Sequence, residues 1–309
     1  MNAKLRDVAV QVAGEAADLA RTVRDESVTE GSVGTKSTET DVVTAGDRAV
    51  ERLVRERLAE LRPGEAVLGE EGAGEEGAGE GGAGEDGAGG AGTGEEPAGA
   101  ADLSGLRWVV DPIDGTVNYL YGYPWYAVSL AAQVDGSSVA GAVVEPVSGR
   151  VWSAARGGGA HLGSTPLRTS TSDRLDLALV GTGFAYAVER RAAQAAAVSR
   201  LLREVRDLRR SGVASLDLCS VAAGWLDGYY EVGLKRWDWA AGALVAEEAG
   251  AAVRLPTADG LGTDGVGTDG VGIEGVGTDG LGTEALVCAA PALAGELTAA
   301  LLRAGAAEV

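Results

Sequence analysis

Apolar residues recur at helical spacing from the start of the chain, at Leu5, Val8, Ala9, Val12, Ala16 and Leu19. This one-sided stripe predicts an amphipathic helix. A second stripe, AVERLVRERLAEL, follows Asp47-Arg48, and Thr44 to Asp47 reads as its cap, so residues 41–61 are expected to pass from strand to helix. Shorter apolar runs then take over. Ala66-Val67-Leu68 and Trp108-Val109-Val110 suit buried strands, the second expected to stop at Asp111-Pro112. Tyr126–Val134, Val139–Val144 and Val151–Ala155 suit further strands. Helices are predicted over Ala192–Leu208, Ser215–Trp225 and Trp239–Ala249, with a strand at Tyr229-Tyr230-Glu231. The run ALVCAA and a final helix close the chain.

Two stretches break this patterning. Residues 72–101 are a Gly/Ala/Glu tract with 7 acids and no Lys or Arg, and residues 257–284 hold 6 acids in an approximate five-residue repeat running from LGTDG to LGTEA. They carry too little apolar surface to offset the entropy of ordering, so both are expected to be flexible insertions. Known calcium-binding β-helix repeats have a nine-residue period, which this repeat lacks. Loop-closure entropy grows by only about 0.6 kcal/mol per doubling of length. One domain over residues 1–309, interrupted at 72–101 and 257–284, is therefore expected.

The tracts also change the charge argument. Subtracting their 13 acids from the net charge of −20 leaves −7, a modest acidity for an enzyme and no footprint for nucleic acid. No run of 18 or more apolar residues occurs and the N-terminus has no hydrophobic signal core, so no membrane partner is expected and the location is expected to be cytoplasmic. Cys219 and Cys288 lie in apolar segments and read as reduced, buried thiols. His161, the single histidine, sits in a turn-rich strand region without a ligand partner, which disfavours zinc and His-nucleophile chemistry.

The chemistry concentrates in WVVDPIDGTVN, Trp108 to Asn118. Pro112 constrains the backbone and Gly115 allows close approach, so Asp111, the Ile113 carbonyl and Asp114 can point at one place while the Gly115 and Thr116 amides face an anion. Such oxygen-only ligands suit Mg²⁺. Asp-Pro and Asp-Gly are ordinary turn formers when taken singly. The whole string, however, resembles the first signature of the inositol monophosphatase family, Mg²⁺-dependent, lithium-sensitive phosphatases acting on small phosphate esters.

Further segments carry the same resemblance. GLKRWDWAAGALVAEEAG, Gly233 to Gly250, is similar to the second signature, which makes Asp238 a metal ligand; read alone, Asp238 stands just before a helix as an N-cap. Lys36 to Glu51 resembles the stretch whose aspartate, here Asp47, partners the threonine of the first signature, here Thr116; Asp47 also reads as a helix start. Gly69-Glu70-Glu71 resembles the Gly-Glu-Glu that supplies a ligand from its first glutamate. The tripeptide recurs at residues 74–76 and 94–96, and Glu70 is selected because only that copy follows a strand-like run. Arg209 to Gly233 resembles the substrate-facing region, placing Gly212 and Ala214 beside the substrate and Glu231 as acceptor for a substrate hydroxyl; Glu231 equally reads as a charge on a strand edge. Val213 stands where some relatives carry threonine.

The order of elements resembles the layered α-β-α-β-α sugar-phosphatase fold of the α/β class. The resemblance implies that Glu70, Asp111, Asp114, Asp238 and the Ile113 carbonyl hold two or three Mg²⁺ ions. Thr116, oriented by Asp47, takes the proton of the attacking water, and Glu71 supports the site. Asp114, Gly115, Thr116, Gly212, Ala214, Glu231 and Asp238 are implied to contact a small phosphorylated substrate. GLKRWDWAAG and YYE favour inositol 1-phosphate. Relatives of this fold acting on histidinol phosphate, fructose 1,6-bisphosphate or 3'-phosphoadenosine 5'-phosphate share the metal motifs. A catalytically silent binding or regulatory protein is the alternative of another class, and nothing in the sequence asks for it. The family resemblance further implies a homodimer.

Overall fold

The computed structural model describes residues 1–28, 33–36, 42–71, 105–257 and 280–309. The tract at 72–101, residues 258–279 of the second tract, and the Gly-Glu-Glu copies at 74–76 and 94–96 lie outside the described residues.

The stripe beginning at Leu5 forms α1 (Asn2–Ser27), with Leu5, Ala9, Val12, Ala16 and Ala20 buried. A short antiparallel pair, β1 (Val33–Thr35) and β2 (Val42–Thr44), leads into α2 (Ala45–Leu61). There the Thr44 hydroxyl accepts the Gly46 and Asp47 amides and the Asp47 carboxylate accepts the Thr44 amide, a capping box. Next, β3 (Ala66–Gly69) and β4 (Leu106–Asp114) pair in parallel. Parallel neighbours need a long crossover, and the first tract falls within this one.

After α3 (Thr116–Tyr121) come β5 (Ala127–Val134), β6 (Ser137–Val144), β7 (Val151–Ala155), β8 (Gly159–Leu162) and β9 (Thr165–Pro166). They extend β3-β4 into a seven-stranded sheet in sequence order, antiparallel from β4 onward. The second half runs β10 (Leu179–Thr182), α4 (Val188–Leu201), β11 (Asp207–Arg209), α5 (Ala214–Ala222), β12 (Gly228–Val232), α6 (Arg236–Glu248), β13 (Ala252–Arg254), β14 (Ala285–Ala289) and α7 (Pro291–Arg303). Its five-stranded sheet has the order β11-β10-β12-β14-β13.

Strand alternation sorts the apolar side chains into three cores. Trp108, Val110, Val128 and Leu130 pack with α1 and α2. Val109 and Ala131, on the opposite face, join α5 and α6 and meet Tyr229, Leu286 and Cys288 of the second sheet. Val180, Tyr230 and Val287 face outward against Leu201 of α4 and Leu293, Leu297 and Leu301 of α7. The result is the expected α-β-α-β-α layering. Close approach in the central layer needs small residues. A Cβ on Gly141 would lie 3.2 Å from the Ala241 Cα, and one on Gly242 would lie 2.9 Å from the Ser215 carbonyl oxygen.

Three expectations change. Asp111-Pro112 does not end β4, which continues to Asp114 through a shift in its register with β5. The helix expected over 192–208 spans Val188–Leu201, because residues 207–209 leave it to pair with β10. Helix α6 starts at Arg236, so Asp238 lies in its first turn and not ahead of it. Cys219 and Cys288 are free, buried thiols. Among the described residues no helix is long and apolar enough to cross a membrane.

Candidate active site

The site begins at the irregular end of β4. Asp111 pairs with Ser129 and Asp114 with Ala127, so three steps on β4 match two on β5. The extra residue bulges and turns the strand end, which gives Pro112 a place without a ladder donor. The Asp111 Oδ1 accepts the Ile113 amide at 3.1 Å. Gly115 then adopts φ +91°, and a Cβ there would press on the Val213 side chain. Thr116, the first residue of α3, lies 3.2 Å from the Asp47 Oδ1 and 3.1 Å from the Ile113 carbonyl. Its hydroxyl has one proton to donate, so these two acceptors share it.

Three helices aim their N-termini at this point, each closed by an aspartate. Asp47 closes α2. Asp114, reaching across from β4, accepts the Ser215 amide of α5 at 2.7 Å. Asp238 reaches back to the Lys235 amide at 2.6 Å. Next to it, the buried Arg236 donates to Gln133 and to the Gly136 carbonyl, tying the start of α6 to the β5–β6 turn. Glu70 and Glu71 follow β3, and the Lys36 ammonium bridges them at 2.7 and 2.6 Å. Glu231 rises from β12, receives the Tyr229 hydroxyl, and lies directly over Gly183.

These elements enclose a cavity of about 430 Å³. Glu70, Asp111, Ile113, Asp114, Gly115, Thr116, Gly212, Ala214, Glu231 and Asp238 all line it. Asp47 and Glu71 stand behind that lining, Asp47 in contact with Thr116 and Glu71 beside Glu70 through Lys36. His161 lies on β8, away from the cavity wall. The sequence reading missed Lys36, Phe184, Tyr186, Arg190, Arg210, Lys235 and Trp237, which also line it. Lys36 opens the very segment that contains Asp47, and Arg210 precedes Gly212 by two residues, so proximity to the motifs was the available signal. Phe184 and Tyr186 follow the four-residue β10, too short a strand to announce itself.

The electrostatics are those of crowded carboxylates. Burial, then repulsion from Glu70, Asp114 and Asp238, raises the Asp111 carboxyl well above its usual range. Burial and the charges of Glu70 and Asp114 do the same to Asp238. Burial pushes Glu70 up to about 7 against the opposing pull of Lys36, and Asp114 up to about 6 against the Ser215 hydrogen bond. It also raises Asp47, Glu71 and, to about 7, Glu231. For Lys36 burial works against the ammonium, but Glu70 and Glu71 outweigh it and raise its pKa.

Among the described residues no three Asp, Glu, His or Cys side chains converge closely enough to enclose an ion. The carboxylates are turned instead to protein donors: Glu70 to Lys36, Asp111 to the Ile113 amide, Asp114 to Ser215 and Asp238 to Lys235. The donor set nevertheless fits a hard divalent cation. It is all oxygen, and repelling buried carboxylates remain ionised most readily around positive charge.

Comparison with known proteins agrees with the geometry. The model of the inositol monophosphatase family matches residues 1–304. An inositol-1-monophosphatase of Mycobacterium leprae is 50% identical over 273 residues, covering 83% of this chain and 85% of the relative. The solved structure of Mycobacterium tuberculosis SuhB superposes with a TM-score of 0.73 at 40% identity, covering 99% of this chain and 98% of the other. A protein of Escherichia coli K12 named Nus factor SuhB is 42% identical over 149 residues, 48% of this chain and 56% of the relative. With the layered fold, the carboxylate-lined cavity and the match over 304 residues together, the chain belongs to the inositol monophosphatase family and is a phosphoric monoester hydrolase.

Proposed function

We propose that this hydrolase is a Mg²⁺-dependent inositol-1-monophosphatase, converting inositol 1-phosphate to inositol and phosphate. The observation that carries the reading is the meeting, in one cavity, of a carboxylate cluster and the Glu231 carboxylate from β12. The first suits a cation-bound phosphate and the second a hydroxylated leaving group. Similarity to a relative named for this activity supports the same choice.

Glu70, Asp111, Asp114, Asp238 and the Ile113 carbonyl are the residues that would hold two or three Mg²⁺ ions. When bound, such ions neutralise phosphate charge, acidify water and stabilise the departing alkoxide. The chain's own groups do the rest. Thr116 Oγ accepts the proton of the attacking water as it gives its own to Asp47 Oδ1, and burial makes Asp47 a stronger base than an exposed aspartate. The Gly115 and Thr116 amides face the phosphate oxygens. Glu71 shares Lys36 with Glu70 and so limits how far Glu70 swings. Gly212 and Ala214 stand beside the ring, with the Arg210 guanidinium seated in the space that Gly212 leaves, Glu231 accepts one ring hydroxyl, and Asp114 and Asp238 accept others through their remaining oxygens. We read the protein as a cytoplasmic homodimer, inhibited by lithium at millimolar concentrations.

A panel of phosphate esters, with free phosphate as the readout and Mg²⁺ saturating, tests the assignment. Inositol 1-phosphate is expected to give the highest kcat/KM. A higher value for histidinol phosphate, fructose 1,6-bisphosphate or 3'-phosphoadenosine 5'-phosphate would reassign the substrate.

A further inference from the structure

Glu51 has no place in the mechanism above, yet it is a buried carboxylate one helical turn beyond Asp47 on the same face of α2. Its Oε2 accepts the Glu71 amide at 2.8 Å. Its Oε1 accepts the Arg55 Nε at 2.9 Å, and Arg55 donates onward to the Val67 carbonyl of β3 at 3.0 Å. The carboxylate also lies directly against Gly69, where any Cβ would overlap it. The neighbouring Glu70 amide is taken by the Val110 carbonyl, one residue before Asp111.

We infer that Glu51 is the positioning residue of the Glu70–Glu71 turn: its carboxylate, seated in the space left by Gly69, fixes the turn to α2 and so fixes where Glu70 enters the cavity. The turn is then held at two points, by the sheet through Val110 and by the helix through Glu51. Because Asp47 and Glu51 share one rigid helix face, the spacing between the Thr116–Asp47 pair and the Glu70 oxygens is set by α2. A structural charge alone does not account for the arrangement. A buried carboxylate is a costly way to end a strand, and it raises the pKa of the adjacent Glu71. Among the described residues its compensation comes from Arg55 and the amide that defines the turn.

The inference rests on Glu70 as a cation ligand, so the test separates the two. Mn²⁺ binding to the full-length protein is measured by electron paramagnetic resonance for wild type, Glu70→Gln, Glu51→Ala, Glu51→Gln and Gly69→Ala. Wild-type binding that Glu70→Gln weakens upholds the ligand reading by itself. Loss of a partner that orients a ligand typically costs 10–100-fold in metal affinity. Glu51→Ala and Gly69→Ala are therefore each expected to weaken Mn²⁺ binding about tenfold, and Glu51→Gln, which keeps an oxygen for the Glu71 amide, by no more than about threefold. KM for substrate at saturating cation should be unchanged in all three. Native Mn²⁺ affinity in Glu51→Ala or Gly69→Ala, with only a lowered Tm, would reduce Glu51 to a packing residue and overturn the inference. Equal losses in Glu51→Gln and Glu51→Ala would overturn it as well. Should Glu51→Ala fail to fold, Gly69→Ala decides, since its backbone accepts alanine and the atoms nearest the added Cβ are those of the Glu51 carboxylate.

Discussion

Gly183→Ala is expected to behave as a selective defect in substrate recognition. Strands β10 and β12 are parallel with Thr182 opposite Tyr230, so Gly183 and Glu231 are the next residues along each chain. A Cβ at 183 would overlap the Glu231 carboxylate. To regain an ordinary contact of about 3.5–4.0 Å, that carboxylate must withdraw by about 1.5–2 Å. Rotating it aside would break its hydrogen bond from the Tyr229 hydroxyl. A hydrogen bond to a charged group contributes about 1.5–3 kcal/mol, and about 1.4 kcal/mol is a factor of ten in rate. Breaking the bond to a ring hydroxyl should thus lower kcat/KM for inositol 1-phosphate by about 10–150-fold. With p-nitrophenyl phosphate, which has no such hydroxyl, the loss should stay within about threefold. Steady-state kinetics on both esters at saturating Mg²⁺ gives the comparison. Equal losses on the two substrates, or no loss on either, would mean that Glu231 does not recognise the leaving group.

Asp111→Asn removes one charge from a crowded cluster, so in the absence of divalent cation its Tm should equal or exceed that of wild type; turnover and the Mg²⁺-induced rise in Tm should both disappear, and near-native rates at saturating Mg²⁺ would break the ligand assignment. Glu70→Gln should cost at least about tenfold in rate, while Glu75→Gln and Glu95→Gln should be neutral, and a matching loss at Glu95 would move the ligand to another Gly-Glu-Glu copy. Replacing residues 74–99 and 259–282 with short Gly/Ser linkers should keep the rate within a few-fold and increase protease resistance, because the residues lining the cavity lie outside both stretches. Loss of activity in that variant would assign one tract a working role.

Residues whose role depends on near neighbours in the chain were legible in advance. The stripe from Leu5 to Leu19 needs only a 3.6-residue period, and Asp111, Asp114 and Thr116 fall within six residues at the end of β4 and the start of α3. What escaped depends on contacts distant in sequence. Lys36 meets Glu70 across 34 residues, and Glu231 finds its room at Gly183. Helix α4 stops at Leu201 although the apolar spacing continues through Val205 and Leu208, because Leu208 is claimed by pairing with Val180. Pro112 punctuates a strand in sequence, but a bulge at the sheet's end absorbs it. Strands β10, β11 and β13 have three or four residues each, too few for alternation to be visible.

The aspartates that close α2, α5 and α6 give this architecture an evolutionary liability as well as a scaffold. The side-chain oxygen of an asparagine can accept the same backbone amide as an aspartate oxygen does. Exchanging Asp47, Asp114 or Asp238 for asparagine therefore leaves a hydrogen-bonded helix start in place while deleting a charge on which the proposed mechanism depends. Under that mechanism a single amino-acid change would separate a working hydrolase from an intact, correctly shaped protein that still presents the same cavity. Descendants that keep the shape and abandon the reaction are within one step of this sequence, and a helix-capping position is where their history would be written.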